Sequence, residues 1–493
     1  MKKMFTKLFS AAILAGLLIT GITAKAQTTY ASSETLHKKT KAKADSAAAA
    51  TADKKAKTIS STTQVADPVD TAWHPQRRVW GYAFGDAYYD QHSPSLTATP
   101  VGGSLGANPL GKENNYYQTP SNRNAFQFRR IYLGYDYEIN KKFKAEVLLA
   151  SEPSENTTPV SSTVGVQNSD NLADGKMAFY IKNFNLRTRD IWDGTDLVVG
   201  EMSTPGFALN EAGTNGPTSL SETTWGYRSI ERTITDFHKN NSYDVGAALQ
   251  GTFDPKTKNF GYVFMIGDNT QSNLTTVYNP NSAVSPTNPN PNTGFFKIFY
   301  GDLWAKFLDK KLYVDLYADY AQTSSSIASA AVASGTIDPQ EHNMFKLFVA
   351  YNAKPFTIGV EAYTQKLKNA MINSVDKSVD NATVNAFSFW IRGVITPGKW
   401  GYFARYDNYN PDSKFDKNAN YAVNSNGYSS FDPTTKEQFV TAGLDFTPAK
   451  NIHFMPNIWL TQYKTQYDPT HTGYVPDNHT LVYRMTFFYT FGK

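Results

Sequence analysis

The chain has 493 residues, no cysteine, 30 Tyr, 31 Phe and a formal net charge of +5. Without cysteine there is no disulfide framework and no thiol to carry a lipid anchor. Residues 1–26 hold +4 of the charge and residues 27–72 another +2, which leaves the remainder near −1. A basic nucleic-acid surface is therefore excluded for the folded part.

The first stretch, MKKMFTKLFSAAILAGLLITGITAKA, puts Lys2, Lys3 and Lys7 before an apolar run and ends in Ala24-Lys25-Ala26. That is a basic, apolar and small-residue order, so residues 1–26 are read as a signal peptide cleaved after Ala26. The apolar run is short and wrongly flanked for a transmembrane helix. In residues 27–72 the tract HKKTKAKADSAAAATADKKAKTISSTT contains no aromatic residue. Such a composition cannot bury enough apolar surface to fold alone. A flexible periplasmic segment is expected there, a linker rather than a cell-wall tether. The folded domain is predicted over 73–493.

From Trp73 onward the chain reads as strands. The candidates are 80–90, 126–138, 143–151, 177–187, 195–202, 242–254, 259–267 and 296–309. Then follow 311–323, 343–354, 356–366, 383–396, 399–408, 437–447, 450–463 and 480–491. Most are about ten residues or longer, enough for a tilted strand to cross a membrane. Period-two alternation supports them. In LYVDLYADYAQ, Leu312, Val314, Leu316 and Ala318 oppose Tyr313, Asp315, Tyr317 and Asp319. In the last strand Leu481, Tyr483, Met485, Phe487, Tyr489 and Phe491 oppose Val482, Arg484, Thr486, Phe488 and Thr490. The apolar face of such a strand meets a core in a soluble sandwich, but lipid in an outer-membrane barrel.

The connections favour the barrel. Short ones (NKK at 140–142, DPKTK at 254–258, DKK at 309–311, AKP at 353–355, TPGK at 396–399) alternate with long ones. The long ones are 91–125, 152–176, 203–241, 268–295, 324–342, 367–382, 409–436 and 464–479. Short periplasmic turns alternating with long external loops mark bacterial outer-membrane barrels. No blade-length repeat of a propeller is present. The predicted fold is all-β: a transmembrane antiparallel up-and-down barrel of about sixteen strands. Its aromatic-rich closing strand is the kind that outer-membrane assembly machinery reads, although Gly492 and Lys493 follow Phe491.

Three motifs then suggest a family. FQFRRIYLGYDYEINKKFKAEVLLAS carries Arg129, Arg130, Gly134, Phe143 and Glu146. LVVGEMSTPGF carries Gly200, Glu201 and Pro205, with Phe207 displaced by Gly206. RSIERTITDF carries Glu231 and Arg232. Together they resemble the phosphate-selective porin O and P family, clearly over about 120 residues and elsewhere only in architecture. The resemblance implies a sixteen-stranded porin, commonly a homotrimer. It does not make phosphate the substrate.

Strand parity sends Arg130, Lys144, Lys306, Lys346, Arg392, Arg405 and Arg484 inward, together with Asp136, Glu146, Asp302, Asp315, Asp319, Glu361, Asp407 and Asp445. Among these, Arg130, Arg392, Arg405, Arg484, Asp315 and Asp319 are the lumen-lining candidates. The two signs nearly balance, so no anion ladder is visible. Arg392 and Arg405 lie on neighbouring strands and are candidates to converge on one anion. The third external loop, 203–241, is predicted to fold into the barrel and form its constriction, because its apolar side chains are costly in water. Glu222, Arg228, Glu231, Arg232, Asp236 and Lys239 are its candidate pore residues, and SIERTITDF is expected to form a short helix capped by Ser229.

No catalytic constellation stands out and no cofactor is implied. Asp416, Asn418 and Asn420 have the spacing of a calcium loop's first ligands, but Tyr421 and Gly427 replace its required Gly and Glu, so no metal site is read there. The expected function is passive diffusion of small hydrophilic solutes or ions, anions such as phosphate among them, through a pore in the outer membrane of a Gram-negative bacterium. Its expected partners are outer-membrane lipid, those solutes and the assembly machinery. Two alternatives fit the sequence: a barrel serving as an adhesin or glycan-binding surface protein, and a secreted soluble β-protein that binds carbohydrate.

Overall fold

The computed structural model describes residues 76–92, 122, 124–151, 179–206, 224–238, 242–268, 297–323, 340–421, 432–474 and 476–492. The expected leader and the segment 27–72 lie outside the described residues.

The strands are β1 Arg77–His92, β2 Asn124–Glu138, β3 Phe143–Ser151, β4 Tyr180–Trp192, β5 Thr195–Ser203 and β6 Tyr243–Thr252. Next come β7 Phe260–Gly267, β8 Ile298–Phe307, β9 Leu312–Thr323, β10 Gln340–Asn352 and β11 Phe356–Ile372. The series ends with β12 Val379–Thr396, β13 Trp400–Asn410, β14 Thr435–Ala449, β15 Ile452–Thr465 and β16 Asn478–Phe491. Each pairs antiparallel with its neighbours in sequence, and β1 closes the ring against β16. Closure leaves no edge strand and satisfies the backbone within the sheet, which a lipid environment requires.

The outer face is apolar. Phe345, Leu347, Phe387, Phe389, Tyr483, Met485, Tyr489 and Phe491 are exposed, whereas Val482, Arg484 and Thr486 between them are buried. An apolar belt of this continuity is at home in lipid and would be an association surface in water. The face of β16 that carries Tyr483, Met485, Tyr489 and Phe491 is thus the outer one. Among the described residues no helix is long and apolar enough to cross a membrane.

Two expectations about the connections are corrected. The stretch 367–382 is not a long loop. A bulge after Leu367, with Asn369 at φ 55°, lets the β11–β12 ladder resume at Met371↔Asp380 and Ile372↔Val379. The connection shrinks to 373–378, so long and short connections do not alternate without break. Likewise β4 runs on to Trp192 through Asp190, at φ 46°, before turning at Asp193-Gly194.

A third irregularity reorients charge. Between β1 and β2 the register shifts from Phe84↔Arg130 to Gly85↔Phe128, which leaves Arg129 as the inserted residue of a bulge. A bulge re-aims side chains. Arg129 and Arg130 are both buried inside the barrel, although adjacent strand residues ordinarily point to opposite faces.

The interior is crowded with rings. Near the short-turn end, inward tryptophans lie flat across glycines that oppose them in register: Trp80 on Gly134, Trp304 on Gly261 and Trp390 on Gly359. A Cβ on these glycines would come within 2.1–2.3 Å of the indole. Glycine is needed there for close approach rather than for flexibility.

Candidate pore-lining site

Residues 224–238 lie between β5 and β6 and are packed against inward-facing side chains of the barrel. Trp225, Ile230, Glu231 and Ile234 are wholly buried. Trp225 and Ile230 join Trp304, Phe348, Trp390, Phe403, Phe439, Met455 and Trp459 in one apolar cluster. The Trp225 ring sits 5.6 Å from that of Trp390 and 6.1 Å from that of Phe403.

The barrel wall holds this segment by its carbonyls. Arg392 Nε donates to the Thr224 carbonyl at 2.7 Å, and Arg129 Nη1 to that of Ser229 at 2.7 Å. Arg405 Nη1 donates to the Arg232 carbonyl; outside the segment, just after β5, Lys346 Nζ donates to the Gly206 carbonyl at 2.6 Å. Side chains add contacts: Thr235 Oγ1 donates to Glu361, Tyr227 Oη to Asp445 at 3.4 Å, and Arg228 Nη2 meets Tyr132 Oη at 3.2 Å. Each peptide carbonyl in this interior needs a donor, and the cationic side chains supply it.

These contacts define a course. Tyr227 Oη lies 3.3 Å from where a Cβ on Gly401 would stand, Arg232 meets Arg405, and the His238 ring stacks on Tyr409 with centroids 3.7 Å apart. Gly401, Arg405 and Tyr409 succeed one another along the inner face of β13. Eight strand residues span about 26 Å at ~3.3 Å each. Across the ring, contacts run from Arg129 and Tyr132 on β2 to Glu361 on β11, seven strands of sixteen away. The segment is therefore a lengthwise strap that also bridges the lumen.

Its charged residues are largely committed to one another. Asp236 receives Arg228 at 3.4 Å, Arg232 at 3.6 Å and the Ser242 hydroxyl at 2.5 Å. Glu231 is buried and accepts the Arg232 amide at 2.7 Å. The expected helix is shorter than the motif suggested. It covers Ile234–His238 (α1), and Thr233 Oγ1 rather than Ser229 faces its first turn, at 3.4 Å from the Asp236 amide. Ser229 instead lies in the preceding turn, with its hydroxyl 3.6 Å from Met455 Sδ. Glu222 and Lys239 lie outside the described residues.

Arg392 and Arg405 do not converge on a common point. Arg405 donates to Asp407 and to the strap, while Arg392 grips Thr224. Arg484 pairs with Asp86 at 3.0 Å, and Arg129 reaches the same carboxylate at 3.6 Å. Both guanidinium groups lie over the Trp459 ring, at 3.7 and 4.8 Å. Arg130 is buried 6.0 Å from the Phe84 ring. On β9, Asp319 accepts the Tyr317 hydroxyl at 2.5 Å and the Met344 amide at 3.1 Å, and Asp315 is buried on the same face.

Sequence reasoning missed Asp86, Arg129, Lys182, Arg187, Asp244 and Glu437, all buried. In β1 the inward side chains include Trp80, Tyr82 and Phe84, so aromatic content did not distinguish inner from outer face. In β2 the bulge hid Arg129. Burial, with Arg405 and Arg232 nearby, holds the His238 imidazole well below the usual histidine range. Burial and the Asp445 carboxylate push the Tyr227 phenol up, so it stays a neutral donor.

A closed sixteen-stranded antiparallel barrel, apolar outside and charged within, defines the class: an integral membrane barrel with the architecture of outer-membrane porins. The outer-membrane channel DcaP of Acinetobacter baumannii has this fold, with a TM-score of 0.50 and 10% identity over 85% of this chain and 97% of that one. Pseudomonas putida OprB follows at TM-score 0.48 and 9% identity (84% and 94% covered), and the anion-selective porin from Comamonas acidovorans at 0.47 and 10% (85% and 100% covered). No protein-family model and no curated protein matches the chain.

Proposed function

We propose that the protein is a passive outer-membrane channel for small hydrophilic solutes, restricted by the strap 224–238. The observation that carries this reading is the strap itself: a loop segment drawn into a closed barrel and fastened by wall cations to its own backbone carbonyls. Such a segment narrows the lumen, and the residues beside it set the radius and local charge of the path. Arg228, Glu231, Arg232 and Asp236 are the constriction residues of this reading, and Arg130, Arg484, Asp315 and Asp319 line the wall.

Phosphate selectivity, which the motifs suggest, calls for Arg forks free to converge on an anion. Arg392 and Arg405 each spend a donor on the strap, and Arg405 is also neutralised by Asp407. Weak selectivity among small ions therefore fits this lumen better than a phosphate ladder. A homotrimer, export through a leader cleaved after Ala26 and a periplasmic segment 27–72 complete the reading.

Planar-bilayer recording of the purified protein tests it. Steady single-channel conductance is expected, and replacing residues 224–238 with a Gly-Ser linker is expected to raise it severalfold while heat-modifiable gel mobility is retained. A folded barrel that passes no current in either form overturns the channel reading.

A further inference from the structure

At the long-connection end of the barrel, β14 and β15 set Lys436 directly opposite Lys464 on the outer face, both exposed. Like charges so opposed, with Cβ atoms about 5 Å apart, repel. Neither lysine forms an ion pair among the described residues. The acids around them are spent elsewhere. Asp468 receives Lys417 at 2.9 Å, Asp412 Oδ1 accepts the Thr383 and Lys414 amides at 3.0 Å each, and Asp432 Oδ1 accepts the Thr434 amide at 2.8 Å. At the same end of β11, by contrast, the outward Lys368 is matched by Glu341 at 3.2 Å.

Beside the lysine pair opens a cavity of about 320 Å3, bordered by Asn410, Phe415, Lys417, Lys436, Thr465 and Asp468. The Asn410 side-chain oxygen is buried there and accepts no hydrogen bond among the described residues. The walls are fixed in advance. Gln466 Nε2 donates to the carbonyls of Asp412 and Pro433 at 3.1 and 2.7 Å, and the Phe415 ring packs on Tyr467 with centroids 4.9 Å apart. Along the outer face toward the short turns the side chains are graded. Asn408, Gln438 and Gln462 form the next row, then Tyr406, Val440 and Leu460, then Ala404, Ala442 and Ile458.

We propose that this outer face of β13–β15 binds one anionic lipid of the outer leaflet, a glycolipid whose headgroup carries both phosphate and hydroxyl groups. Its phosphate bridges Lys436 and Lys464 and removes their repulsion. A hydroxyl supplies the donor that Asn410 lacks, which a fully ionised phosphate cannot do. The amide row lies at the level of the headgroup carbonyls and hydroxyls, and the acyl chains cover the apolar rows below. Because the cavity walls are held before the lipid arrives, little ordering is lost on binding. Such binding does not depend on conduction, and the site stands apart from the reading of the barrel as a channel.

Native mass spectrometry of the detergent-purified, folded full chain tests the proposal. The probes are a bisphosphorylated diglucosamine lipid, the same lipid without its phosphates, and phosphatidylcholine. Saturable binding of the first is expected, at least tenfold tighter than that of the other two. Lys436→Gln combined with Lys464→Gln alters only exposed residues, keeps the heat-modifiable gel shift and is expected to weaken that binding by about tenfold or more, the scale of one lost charge-assisted hydrogen bond. Lys366→Gln combined with Lys368→Gln, on the outer face of β11, is expected to leave it unchanged. Equal affinity of the parent for the phosphorylated and dephosphorylated lipids overturns the proposal. So does undiminished binding in the Lys436 and Lys464 variant, or an equal loss in the β11 variant.

Discussion

At the scale of single residues, burial decides which charges matter. Asp86 is wholly buried, paired with Arg484 and Arg129, and hydrogen-bonded by Thr486 Oγ1 at 2.5 Å. Asp86→Ala leaves two guanidinium groups without their common anion inside the barrel. Breaking a buried pair from one side costs about 3–5 kcal/mol. The variant is expected to lose its heat-modifiable gel shift at a clearly lower temperature than the parent. Lys417–Asp468, at 2.9 Å but more than half exposed on both sides, is the contrast. Exposed pairs of this kind are worth about 0–1 kcal/mol, so Lys417→Ala is expected to leave the transition unmoved. The glycines under the tryptophans carry a steric version of the same lesson. Gly359→Ala drives a methyl group into the Trp390 indole, and overpacking of this sort costs about 1–3 kcal/mol. The same gel assay is expected to show that loss.

At the scale of elements, the strap is held in position by charge and by pH. Arg228 and Arg232 both converge on Asp236. Replacing both with Ala removes two cations and frees a carboxylate, so the reversal potential under a salt gradient is expected to shift toward cation preference. His238 supplies the pH dependence. Its pKa is lowered in the docked strap, mainly by burial and also by Arg405 and Arg232. Above the ordinary histidine range neither docked nor released His238 carries a proton, and the group contributes nothing. Below about pH 6.5 the released form takes up a proton that the docked form resists, so docking weakens as pH falls. Lowering the pH from 7.5 to 5 is expected to speed proteolytic cleavage within 224–238. His238→Phe keeps the ring on Tyr409 and is expected to remove that acceleration. The connection between β13 and β14 titrates the other way. Burial raises the Asp412 and Asp432 carboxyls, so the packing around these two residues weakens as pH rises through the carboxylate range.

At the scale of the whole molecule, closure of the sheet joins residues from the two ends of the chain. β1 and β16 pair over twelve positions, from Gly81↔Phe491 to His92↔Thr480. The barrel's stability therefore hangs on its last strand. Removing residues 480–493 is expected to abolish the heat-modifiable form altogether, checked by gel mobility of protein recovered from membranes. For the channel as proposed, acids and bases nearly balance along the wall, so reversal potentials in a tenfold salt gradient are expected to stay small for the parent protein.

Much of this was legible in the chain itself. Strand positions, the turn residues between them and the outward face of β16 follow from local rules: period-two alternation, and Gly, Pro, Asn and Asp at the turns. These act within a few residues, so a sequence displays them directly. Three features were decided only by the tertiary structure. The bulge at Arg129 shifts register by one residue, which reverses every side chain beyond it, and the irregularities at Asp190 and Asn369 insert two residues and lengthen their strands; none of the three shows in a pattern of period two. The inner face of β1 is as aromatic as many outer faces, because Trp80, Tyr82 and Phe84 pack on Tyr132, Leu148 and Ala150 of the wall rather than on lipid. Where Arg129, Lys346, Arg392 and Arg405 end was also hidden. Parity says that an arginine points inward, but its partner is a carbonyl of Thr224 or Arg232, some 170 residues distant in sequence, which only the closed ring brings within reach.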